Sequence, residues 1–163
     1  MLVAVLSDIH EHTTNLLTAL AMAEQLGCTH LFCTGDLATL TTFRTLREEW
    51  PHGIDLVFGN NEFDRHSFLR LAEQFHHTSH HGDAADIDLD SRRVFLTHYP
   101  QVAAQAARSG KYDAVFFGHT HRAEQQFCGS TLLANPGEIA GVRSAPGFAV
   151  YNTTTNSLTF HSL

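Results

Sequence analysis

The chain has 163 residues, a length that suits one domain, residues 1–163, with a single buried core. A net charge of −7 argues against a broad nucleic-acid footprint, while two bound dications would still admit an anionic substrate. No apolar run approaches the roughly 20 residues of a membrane span. The start MLVAVLSD lacks a basic n-region, so the expected location is the cytoplasm.

Met1–Ser7 is a continuous apolar run, the mark of a strand buried on both faces. Thr14 is expected to cap a helix that carries Leu16, Leu17, Leu20 and Ala23 at helical spacing and ends at Gly27. His30–Thr34 reads as a strand, Thr42–Trp50 as a helix stopped by Pro51, and Asp55–Phe58 as a third strand. Asp64–Phe75 is helical in pattern. The stretch holding His76, His77, His80 and His81 reads as a mobile polar loop, with a surface metal trap or a lid as the sharper alternatives. Ala85–Leu89 and Arg92–Thr97 form a hairpin around Asp90-Ser91, and Gln101–Ser109 forms a helix before the strand Ala114–Phe117. Gln125–Cys128 and Thr131–Ala134 flank the turn Gly129-Ser130, and Phe148–Tyr151 pairs with Ser157–Phe160. Parallel βαβ units followed by hairpins predict an α/β fold in which two sheets stack with helices outside.

The chain holds 13 histidines against 10 Lys plus Arg, and imidazole is the commonest metal ligand. Their positions are informative. Five predicted strands each end in residues able to hold a metal: Asp8-Ile9-His10, Gly35-Asp36, Gly59-Asn60, His98 and Gly118-His119-Thr120-His121. The carboxyl ends of strands in open sheets are where ligands bind, so five such ends can converge. A lone D-x-H or G-D is common; the ordered set is not. Asp8, His10, Asp36, Asn60, His98, His119 and His121 supply two carboxylates, four imidazoles and an amide carbonyl. That mixture suits Mn²⁺, Fe, Zn²⁺, Ni²⁺ or Co²⁺ rather than Ca²⁺ or Mg²⁺. Seven ligands exceed what one open catalytic ion needs and fit two ions that share a carboxylate. Cys28, Cys33 and Cys128 form no C-x-x-C pair and read as buried apolar residues.

This ordered set resembles the calcineurin-like metallophosphoesterase superfamily, most closely its small bacterial and archaeal phosphodiesterases. The likeness runs from Asp8 to Asn135-Pro136-Gly137 and Arg143. It implies a four-layer αββα sandwich and a binuclear hydrolase, manganese being the first expectation. By the family pattern Asp8, His10, Asp36 and His121 hold one ion. Asp36, Asn60, His98 and His119 hold the other, with Asp36 bridging. A hydroxide held between the ions would attack phosphorus in line with the leaving oxygen.

Three departures bear on function. Gly59-Asn60-Asn61-Glu62 lacks the histidine that protonates the leaving group in many relatives, which moves the reading towards diesters or activated monoesters. Glu11-His12-Thr13-Thr14-Asn15 replaces the usual glycine and asparagine, and His98 is followed by Tyr99-Pro100. His12 is the first candidate for general acid and His66 a weaker one, with Asn60 and His98 counted as catalytic through their ligand roles. Asn61 and Arg143 are assigned to the substrate, the arginine as a clamp on a phosphate oxygen. The expected partner is a small phosphate ester, with self-association possible and no membrane. A non-catalytic scaffold, as in the retromer subunit of this fold, and a metal sensor are the rival readings.

Overall fold

A computed structural model describes all of residues 1–163. The first half alternates strands and helices: β1 (Leu2–Leu6), α1 (Thr13–Gln25), β2 (His30–Cys33), α2 (Leu40–Glu49), β3 (Gly53–Leu56), α3 (Arg65–Ala72) and β4 (Thr78–His80). The second half runs β5 (Ala84–Leu89), β6 (Arg92–Thr97), α4 (Pro100–Arg108), β7 (Ala114–Phe116), β8 (Ala123–Cys128), β9 (Thr131–Pro136), β10 (Gly147–Asn152) and β11 (Ser157–Ser162).

Two sheets result, one ordered β11-β10-β1-β2-β3-β4 and the other β5-β6-β7-β9-β8. Alternation along β1 shows how they stack. Val3 and Val5 join Phe32, Val57, Val94, Leu96, Phe116 and Tyr151 in the layer between the sheets. Ala4 and Leu6 face the other way, onto Leu16, Leu20, Phe43 and Phe68 of α1, α2 and α3. On the far side, Ala103 and Ala107 of α4 pack on Val115 and Leu133. The expected αββα sandwich is the observed one. Strands β1 to β4 are mutually parallel, as are β6, β7 and β9, so each sheet has its own parallel block.

Helix starts follow local capping. Thr39 accepts from the Thr42 amide and Asp64 from the Ser67 amide. The expected cap at Thr14 is incorrect: α1 begins at Thr13 behind His12, with no side-chain cap. The start is held instead by packing and by Asn15, whose amide nitrogen donates to the Ile139 carbonyl across 2.9 Å.

The larger correction concerns the second half of the histidine-rich stretch: His76 and His77 are exposed in a turn, but the residues after them are not a polar loop. Thr78–His80 pairs in parallel with Ile54–Leu56, His80 is packed against Phe58 at a 4.0 Å ring separation, and burial pushes its imidazole down to about 4. Asp55 ties the edge together, its two oxygens meeting His30 Nε2 at 2.7 Å and His81 Nε2 at 2.6 Å. Burial would raise the Asp55 carboxyl, but the two imidazoles outweigh it and hold the group below the usual range. A carboxyl lowered on folding stabilises above its unfolded value of about 3.9 and ceases to do so as pH falls through the folded value. Asp55→Asn is therefore expected to lose about 1–3 kcal/mol at pH 7, with a much smaller loss at pH 3. Urea melts at the two pH values measure this, and equal losses would count against the pairing.

Candidate metal centre

All five ligand-bearing strand ends lie at one end of the sandwich, where the carboxyl ends of both parallel blocks meet. Backbone contacts join them. Asp8 N donates to Gly35 O, His10 N to Asp36 O, and Gly118 N to His98 O. Ile139 N and Ala140 N, just past β9, donate to Ser7 O and Asp8 O, so the loop from one sheet is fastened to the first strand of the other. His98 Nδ1 lies 2.8 Å from Thr34 O, which directs its Nε2 at the centre.

The donor atoms converge. His121 Nε2 lies 3.3 Å from Asp8 Oδ1, and His10 Nε2 lies 3.7 Å from Asp8 Oδ1 and 3.6 Å from Asp36 Oδ2. His98 Nε2 lies 3.5 Å from that same Asp36 oxygen. Asn60 Oδ1 sits 3.0 Å from His98 Nε2 and 2.8 Å from His119 Nδ1. Two groups, Asp8-His10-His121 and Asp8-Asp36-His98, each place their donors within 4.8 Å of one another. The seven residues read from the sequence are thus brought together around the Asp8 and Asp36 carboxylates and Asn60.

Three observations fit this set to cations. Asp8 Oδ1 and His10 Nε2 are buried with no hydrogen-bond partner, a state that costs about 1–3 kcal/mol per group without one. Donors held about 2.0–2.2 Å from one ion stand roughly 3.0–3.6 Å apart, close to the spacings seen here. Third, Asp8, His10, Asp36, His119 and His121 all have positive φ, between 43° and 69°. Each costs about 1–3 kcal/mol, and such strain gathers where function fixes the geometry.

Electrostatics agree. Burial pushes the Asp8 carboxyl up, but His10, His98, Ser7 and His121 outweigh it and hold it low. The carboxylate of Asp8 in turn raises His10 against the effect of burial, with Asp36 adding to it. Positive charge is favoured between these carboxylates.

The glycines work by close approach. A β-carbon on Gly59 would overlap Asp36 Oδ1, and one on Gly118 would overlap Ser7 Oγ. Both let a neighbouring strand end reach the carboxylates.

Asn61 donates to Asp36 from its backbone and from Nδ2, at 2.9 and 2.7 Å. It lines an open cavity of about 410 Å³ with His10, Asp36, Asn60, His119, His121, Val142 and Arg143. Arg143, assigned to the substrate from the sequence, is thus one of the lining residues. His12 is not: it is exposed, precedes α1 and does not line this cavity, and His66 is exposed on α3.

Sequence reasoning missed two buried acids. Glu62 accepts from the amides of Leu37, Ala38 and Gly59, bracing the loops that carry Asp36 and Asn60; burial and the Asp36 charge raise its carboxyl. Glu138 lies 2.7 Å from His121 Nδ1. Burial would raise it, but His121 and the backbone amides of residues 142–144 hold it below its ordinary value. The acid after Gly59-Asn60-Asn61 was a visible signal for the first, and the turn Asn135-Pro136-Gly137 directly before Glu138 was the signal for the second.

Comparison with known proteins meets this geometry. Over 143 residues the chain is 27% identical to a phosphodiesterase of Methanocaldococcus jannaschii, covering 86% of each. The structure of an archaeal phosphodiesterase superposes with a TM-score of 0.92 at 25% identity, over 100% of both chains. Vacuolar Protein Sorting 29 of Cryptosporidium parvum shares the fold at a TM-score of 0.66 and 16% identity, over 99% of this chain and 96% of that one. The model of the calcineurin-like phosphoesterase superfamily domain matches residues 1–156. With that match across nearly its whole length, the chain belongs to the calcineurin-like phosphoesterase superfamily.

Proposed function

We propose that this phosphoesterase is a binuclear enzyme that hydrolyses phosphodiesters, with activated monoesters as secondary substrates. The observation that carries the reading is the single oxygen Asp36 Oδ2, within 3.6 Å of His10 Nε2 and 3.5 Å of His98 Nε2. One carboxylate stands between two imidazole groups, as a bridging ligand must. Asp8, His10, Asp36 and His121 would hold one divalent ion, and Asp36, Asn60, His98 and His119 the other. Manganese is the first choice, and the donor set also accepts Fe, Zn²⁺, Ni²⁺ or Co²⁺. Bound there, such ions lower the pKa of water towards roughly 7 and offset charge on phosphoryl oxygens.

The chain's own residues do the rest. Arg143 stands at the cavity to take a non-bridging phosphate oxygen. Asn61 donates to both oxygens of the Asp36 carboxylate and so fixes its orientation at the centre, where it would hold the ions. The cavity lining offers no acid other than the candidate ligands themselves, so the leaving group departs without a dedicated proton donor. That favours esters of weakly basic alcohols or phenols. The natural monophosphate dianion, with a basic leaving alkoxide, is served less well.

The test is purification without chelator, metal analysis, and assay with bis-p-nitrophenyl phosphate and p-nitrophenyl phosphate under added Mn²⁺. We expect about two metals per chain and EDTA-sensitive turnover that favours the diester. Monoester preference would reverse the substrate assignment, and metal without turnover would point to a sensor. Neither metal nor turnover would leave the shared fold as a scaffold.

A further inference from the structure

Glu138 is completely buried, yet it makes four polar contacts through three different oxygens. Oε2 meets His121 Nδ1 at 2.7 Å. Oε1 accepts from the amides of Arg143, at 2.6 Å, and Ser144. Its carbonyl accepts from Gly147 N at 2.9 Å. The loop answers back, since Ser144 Oγ donates to the His121 carbonyl at 2.7 Å. His121 and the segment carrying Val142 and Arg143 are therefore held to each other through one carboxylate. Those same residues line the cavity.

Building on the metal-centre reading above, we infer that Glu138 is a positioning residue that sets the tautomer of His121 and links metal binding to the Arg143 loop. An ionised carboxylate only accepts hydrogen bonds, so His121 Nδ1 must donate and Nε2 keeps its lone pair, facing Asp8 at 3.3 Å. One oxygen serves the ligand and the other serves the loop. A metal that orders His121 thereby orders the Arg143 backbone, and a phosphate ester on Arg143 tightens the metal by the same factor.

The division of labour makes the isosteric amide a sharp probe. In Glu138→Gln a single carbonyl oxygen can satisfy the Arg143 and Ser144 amides, which turns the NH₂ towards His121. The imidazole must then accept at Nδ1 and carry its proton on Nε2, the atom the metal needs. Glu138→Ala removes both supports.

Titrating the chelator-stripped proteins with Mn²⁺ by calorimetry should show one of two equivalents weakened about 10–100-fold in Glu138→Gln. KM for bis-p-nitrophenyl phosphate at saturating Mn²⁺ should rise in Glu138→Ala, which loses the acceptor of the Arg143 and Ser144 amides. Wild-type Mn²⁺ affinity in Glu138→Gln would overturn the inference while leaving the phosphoesterase reading intact. A wild type that binds no metal would sink both. Should the variants not fold, the link is read in the wild type by hydrogen exchange. Mn²⁺ should slow the Arg143 and Ser144 amides about fivefold or more, the low end of site-to-site coupling, and no slowing overturns it.

Discussion

Asp36→Asn is expected to lower kcat/KM for a diester by roughly a thousandfold, about 4 kcal/mol of transition-state stabilisation. The side chain keeps its volume and loses a carboxylate oxygen that faces both His10 and His98. Asp36 is almost wholly buried, accepts two hydrogen bonds from Asn61, and presents Oδ2 to His10 and His98. An amide would put an NH₂ against either the Asn61 donors or the imidazoles. Both placements remove an anionic donor from the centre. The fold should survive, because the site lies at the strand ends and the core layers are untouched.

Thermal melts separate these effects. A metal that binds only the folded state stabilises it by about 2.7 kcal/mol at a hundred times its Kd. Wild type should therefore melt higher with Mn²⁺, while Asp36→Asn should show little rise and retain a wild-type circular dichroism spectrum. A variant with the full metal-dependent rise and near-normal turnover would refute the bridging role.

Gly118→Ala should do large damage for a single added carbon. The added carbon would occupy the place of Ser7 Oγ, stand 2.8 Å from Asp8 Oδ2 and 3.1 Å from His98 Nδ1. Ser7 Oγ itself donates to Asp8 Oδ2, and both residues are fully buried, so neither can swing away. Separating the two strand ends costs about 1–3 kcal/mol of overpacking and moves a donor in each candidate ion site. Both stability in urea and Mn²⁺ affinity should fall together. Gly129→Ala is the control: its φ of 64° makes alanine strained, but open space surrounds it and the centre is distant in the fold. It should lose about 1 kcal/mol and bind metal normally. Equal metal affinity in the two variants would show that the close approach at Gly118 does not shape the site.

Most of the architecture was legible because it is written locally. The buried parallel strands are continuous apolar runs, the hairpins are marked at Asp90-Ser91 and Gly129-Ser130, and α1 to α4 carry helical periodicity. The boundaries moved by a few residues where capping chose the start, as Thr39 did for α2. Strand β4 was illegible because Thr78–His80 is short and polar, and becomes a strand only by pairing with β3. The histidines around it look like a solvated loop until Asp55, distant in sequence and bonded also to His30, is seen to hold His81.

The candidate metal-centre residues followed the same division. All seven were readable because each donor sits at the end of an apolar strand, a position that chain periodicity reports directly. Their convergence was only an inference from sheet topology. The left-handed backbone at five of them, the orphaned Asp8 Oδ1 and the shared Asp36 oxygen are tertiary facts. His12 shows the limit of chain proximity: two residues past His10, it precedes α1 and lies outside the cavity. Glu138 shows the converse, 17 residues past His121 and hydrogen-bonded to it. The sequence by itself determined which chemistry the strand ends carry, since residue type and strand periodicity are local. Only the tertiary structure decided which buried acids orient those groups, because that depends on two sheets whose ends meet in space.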